Sequence, residues 1–117
     1  MSNYVKQEGG DHYQAEYQHW DMVIDTNMHY LLACATKYIQ RKKGGSIGKY
    51  EDLKKAMSFV KKAQGAGVAG IHANDIVYVN RWLLLMNLTS SAIKIIDFIV
   101  YAEYTDAILA IEEMLND

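Results

Sequence analysis

Not one of the 117 residues is proline. No position therefore breaks a helix through a fixed ring and a missing N–H. Ala, Leu, Met, Lys and Glu are abundant, and each loses little freedom on entering a helix. We read an all-α fold. A chain of this length makes one domain with a core near the small end of the stable range.

Apolar spacing predicts where the helices lie. Trp20, Val23, Ile24 and Met28 give a short helix over 19–27. Leu31, Cys34, Ala35, Tyr38 and Ile39 give a second over 29–43, stopped by Gly44 and Gly45. Leu53, Ala56, Met57, Val60 and Ala63 give a third over 49–64, with Ser46 as its candidate cap. These two helices and the GGSIG loop form an αα-hairpin with a basic turn.

Residues 1–11 read as a flexible arm, 12–64 as a functional helical module and 65–75 as a glycine-rich linker. The apolar stretch from 76 to 88 reads as a helix, with a short strand at 76–79 as the alternative. Ser90 or Ser91 then caps a long helix towards Leu115, with a break near Thr105 as an option. Its apolar residues, Ile93 to Leu115, cover more than one stripe and call for burial on several sides. We expect a homo-oligomer built on 76–117; the alternative is a monomeric bundle with this helix at its centre.

Charge is distributed unevenly. Nine of the twelve basic residues fall between Lys37 and Lys62, opposed only by Glu51 and Asp52, so the segment carries +7 while the whole chain carries −2. That balance argues against a broad duplex-coating role and for a local anion site. Lys37, Arg41, Lys42 and Lys43 are its densest part; Arg offers a fork matched to phosphate and Lys a point charge. A solvated helix end complementing the C-terminal dipole is the plainer account.

GGSIGKY resembles a phosphate loop, but Gly44 is one residue too close to Gly48-Lys49 and Tyr50 replaces the magnesium-binding hydroxyl. Backbone N–H groups and Lys could still bind phosphate there. Glu51 and Asp52 are candidates for a Mg²⁺ carried by a nucleotide, or else simple helix-start electrostatics. His12 and Tyr13 could touch a phosphate and a base, or pack on the core.

Neither zinc nor haem is expected, since His12, His19, His29 and His72 share no ligand spacing. Cys34, the lone cysteine, excludes an intrachain disulfide and fits a reducing cytoplasm. It reads as a small buried apolar residue, and Trp20 and Trp82 read as core. MSNYVKQEGGDHY lacks the apolar core of a signal peptide, and Lys94, Asp97 and Glu103 interrupt the greasiest region, so no membrane span is expected.

His12-Tyr13, Trp20 to Asp25, Lys37-Tyr38-Ile39-Gln40-Arg41, Lys43 to Gly48, and Asp52-Leu53-Lys54-Lys55-Ala56 together resemble a family of small phage and prophage proteins, a domain of unknown function also called SaV-like. The likeness covers about residues 10–62, and the same module is similar to the C-terminal part of a T-odd phage nucleotide kinase that works without a Walker loop. The chain departs from that pattern at Trp20-Asp21, where an Ile-Glu pair is usual, and in its apolar tail.

The resemblance implies nucleotide handling in a bacterial host cell, with His12, Tyr13, Lys37, Tyr38, Arg41, Asp52 and Lys55 at the site and Lys43 in its loop. Three roles follow as expectations. In a nucleoside monophosphate kinase, Lys37, Arg41 and Lys55 would stabilise the moving phosphoryl group, Asp52 would hold magnesium, and Tyr13 or Tyr38 would meet the base. In a non-catalytic oligomeric sponge, the same groups would sequester the cyclic nucleotides of bacterial defence. In a host-protein-binding module, the basic hairpin would meet an acidic surface.

Overall fold

The computed structural model describes residues 16–41 and 45–117, with the backbone alone for 45–47. The expectations for the arm and for His12, Tyr13, Lys42, Lys43 and Gly44 fall outside the described residues. The fold is all-α. Helices α1 (His19–Thr26), α2 (Tyr30–Gln40), α3 (Gly45–Ala66), α4 (Ile76–Met86), α5 (Ser90–Val100) and α6 (Tyr104–Leu115) are joined by short connections, with one 3₁₀ turn at Ala73–Asp75.

Local chemistry sets most boundaries. The Asp21 carboxylate accepts from the Gln18 N–H at the start of α1. His29 Nδ1 accepts from the Leu31 N–H to cap α2, and Thr89 Oγ1 accepts from the Ala92 N–H to cap α5. Thr89, rather than Ser90 or Ser91, is thus the cap. Three helices end in paired backrunning N–H···O bonds with a left-handed residue at the turn: Asn27 (φ 50°), Gly67 (φ 66°) and Ala102 (φ 59°).

Three boundaries differ from expectation. α2 stops at Gln40, because Arg41 is extended (φ −66°, ψ 143°). α3 starts at Gly45, so Ser46 and Gly48 lie inside its first turn; packing along α2 outweighs the helix cost of glycine. The 76–79 segment is helical, as expected over the strand alternative. The C-terminal apolar stretch is two helices, parted at 101–103 where Ala102 turns left-handed.

Residues 67–75 are a packed strap. Val68 and Ile71 rest on the core. The Tyr104 hydroxyl donates to the Val68 carbonyl at 2.6 Å, and the Ile71 N–H donates to the Val100 carbonyl at 2.9 Å. A Cβ on Gly70 would come within 2.6 Å of that carbonyl oxygen, so only glycine permits this approach.

One core runs through all six helices. α3 lies on α2 and α6, α5 on α2 and α6, and α1 on α4. The broad apolar arc of α5 is satisfied within the chain: Ala92, Ile95, Ile96, Ile99 and Val100 are buried. The breadth of that arc is therefore met within the chain and by itself does not call for a partner. Trp82 is fully buried, whereas Trp20 is 41% exposed. No described helix is long and apolar enough to cross a membrane.

Candidate functional site: an aromatic and cationic surface on α2 and α3

Helical spacing aligns Tyr30, Cys34, Lys37 and Arg41 along one outward stripe of α2. Tyr38 is offset towards α3, which presents Asp52, Lys55, Phe59 and Lys62 at matching spacing. Where the two faces meet, the Tyr38 ring stacks on Phe59 (centroids 5.9 Å apart, planes 13° apart). Arg41 and Lys55 each sit 5.4 Å from the Tyr38 centroid, within range for attraction to the ring quadrupole. Tyr30 meets Phe59 edge to face at 6.5 Å. Three rings thus run in sequence, with cations gathered at one end.

The structure divides the basic block by role. Lys49 Nζ donates to the Ile39 carbonyl at 2.6 Å and lies 3.5 Å from the Arg41 carbonyl, so it completes the end of α2 where orphan carbonyls need donors. Lys54 lies 3.9 Å from Glu51 and 5.1 Å from the Tyr50 ring, an exposed pair worth little. Lys37, Lys61 and Lys62 are exposed, and none of them forms an ion pair with another described residue. Of the expected ligand-binding residues, Tyr38, Arg41 and Lys55 come together, while Lys37 is exposed on the same stripe of α2 and acts electrostatically on His19.

Asp52 is 5% exposed and its Oδ2 lies 3.8 Å from Arg41 Nε. Burial makes a lone carboxylate costly, and the guanidinium offsets that cost while being held at the mouth of the hairpin. The described residues include no group of three or more His, Cys, Asp or Glu able to hold a metal.

Behind the stripe, α1 contributes His19. Its Nε2 lies 2.9 Å from Thr36 Oγ1. The Thr36 hydroxyl is also within donating range of the Leu32 and Ala33 carbonyls, and which partner donates in the His19–Thr36 contact follows the imidazole tautomer. Burial, and then the nearby Lys37 ammonium, push its pKa down to about 4. The ring also meets Trp82 edge-on at 5.1 Å.

Phe59 and Tyr30 were missed by motif reasoning. The signal was available: Phe59 follows Lys55 by four residues, and Tyr30 opens the stripe that Lys37 and Arg41 continue. Cys34, expected to be buried, is only half-buried, and the neighbouring thiol raises the Tyr30 hydroxyl's pKa.

Compared with protein-family models, with curated proteins and with solved structures, the chain matches none.

Proposed function

We propose that the α2/α3 surface binds the phosphates of a nucleotide in the cytoplasm of a phage-infected or lysogenic bacterial cell. The observation that carries this reading is the convergence of Arg41 and Lys55 on Tyr38, with the exposed Lys37 alongside. Arg and Lys supply donors and charge for phosphate. The neighbouring rings supply the flat surface that a base prefers.

Binding without turnover is the favoured form. Asp52, the acid placed at magnesium in the kinase reading, lies 3.8 Å from the Arg41 guanidinium. That supports a sponge for cyclic or signalling nucleotides over a monophosphate kinase. The test is incubation with labelled ATP, magnesium and each monophosphate, alongside melting shifts with mono-, di- and cyclic nucleotides. Stabilisation without diphosphate formation supports the sponge. Turnover supports the kinase with Lys37, Arg41 and Lys55 as its cations, and silence in both favours a protein partner.

We infer also that the protein is a homo-oligomer, joined through α1 and α4. Trp20 and Ile24 on α1 are 41% and 73% exposed, and Val77, Leu84 and Leu85 on α4 are 60%, 85% and 48% exposed. Contiguous apolar groups of this kind mark association surfaces. Arg81, the lone charged side chain of α4, lies 4.5 Å from the Tyr17 ring, whose hydroxyl donates to Asp25 at 2.7 Å. Its charge is therefore balanced locally, and two copies can meet without strong repulsion.

A further inference from the structure

We propose that Tyr30 is the base-stacking residue of the α2/α3 surface, and that the ligand lies along α2 with its base on Tyr30 and its phosphates at Lys37 and Arg41. This assignment rests on the nucleotide-binding reading above and names where the base goes.

Tyr38, the ring expected to meet the base, is already engaged. Phe59 stacks on it and two cations approach it. A base stacking there would have to displace one of these neighbours. Tyr30 is different. It touches Phe59 only edge to face at 6.5 Å and is 70% exposed. A solvent-facing ring braced on one edge by Phe59 is a stacking platform that a base can reach without displacing a neighbour.

Position along the helix supplies the second argument. Lys37 follows Tyr30 by seven residues on the same stripe, a rise of about 10 Å, and Arg41 lies one turn further. Base and phosphate contacts are thus separated along one helix face, on the scale of a nucleotide rather than of a bare phosphate. Tyr38 then acts as a positioning residue that holds Arg41 and Lys55 at the phosphate end.

Isothermal titration of the full chain with ATP, dTTP and inorganic tripolyphosphate tests this, because tripolyphosphate offers the same phosphates without a base. Tyr30→Ala is expected to weaken each binding nucleotide about 10- to 100-fold, the range for loss of one stacked base, and to leave tripolyphosphate unchanged. Tyr30→Phe is expected to retain nucleotide affinity, since the ring remains. Circular dichroism of the variants checks folding at this exposed site. An unchanged nucleotide affinity in Tyr30→Ala, or an equal loss for tripolyphosphate, overturns the assignment while nucleotide binding itself stands. Failure of the wild-type chain to bind any of the three removes the nucleotide reading and this one with it.

Discussion

The Lys49 ammonium donates to the carbonyl oxygen of Ile39 at 2.6 Å, so a cation from the most basic segment serves as the end-cap of the preceding helix. Lys49→Met is therefore expected to cost about 1–2 kcal/mol, the range for a hydrogen bond from a charged donor, while nucleotide affinity changes little. Urea unfolding read alongside titration checks both parts. A stable variant with lost affinity would instead place Lys49 in the ligand site.

Arg41 and Asp52 should behave asymmetrically. Arg41→Ala leaves a nearly buried carboxylate without its cation and is expected to destabilise the fold by about 2 kcal/mol, as well as weakening phosphate binding. Asp52→Asn removes a competing negative charge and is expected to leave phosphate affinity intact or raised. Affinity lost in Asp52→Asn only when magnesium is present would assign the carboxylate to the metal.

His19 should make the protein acid-sensitive. Its folded pKa, about 4, lies below the ordinary histidine value near 6.5, so the unfolded chain binds the proton first. This contribution to stability is complete above about pH 6.5 and is lost as pH falls towards 4, by about 3 kcal/mol. Asp97, whose carboxyl is pushed upward by burial and then by Glu103, works in the opposite direction. Urea midpoints between pH 7 and pH 4 measure the slope, and a His19→Leu variant is expected to flatten it.

Ala102 and Gly70 meet at the same elbow with opposite needs. Ala102 holds φ 59°, where a Cβ is unfavourable, and Ala102→Gly is expected to stabilise by up to about 1 kcal/mol. Gly70→Ala drives a methyl against the Val100 carbonyl and the Tyr101 backbone and is expected to cost about 1–3 kcal/mol. Thermal denaturation of the two variants should move in opposite directions.

The α1/α4 surface gives a prediction about assembly. Leu84→Lys is expected to shift the protein to monomer in light scattering over a concentration series, without lowering its helix content. A wild-type chain that is monomeric at every concentration would remove the inferred oligomer.

The helical class was legible because the apolar spacing at Ala35 and Ile39, and at Leu53, Ala56 and Val60, matches what the core buries, although on α2 the buried leucine is Leu32 and not the expected Leu31. The helix ends were less so. Gly45 and Gly48 suggest a loop locally, yet both lie in α3, since contacts with α2 come from residues distant in sequence. The same holds for α5: its apolar breadth is plain in the chain, but whether α2 and α6 or another copy covers it depends on tertiary geometry. At the site, charge spacing brought out Lys37 and Arg41, while Tyr38 and Lys55 entered only through the family resemblance. It could not tell a capping lysine from a ligand-facing one, because that depends on where the carbonyls of Ile39 and Arg41 point.

The strap at 67–75 ties the end of α3 to the junction between α5 and α6, and that bears on how such a hairpin can be inherited. Cut away from α4 to α6, the inner faces of α2 and α3 would lie bare to water. Any shorter protein built on this hairpin must recruit a different cover from elsewhere, because the apolar faces of α2 and α3 need burial whatever supplies it.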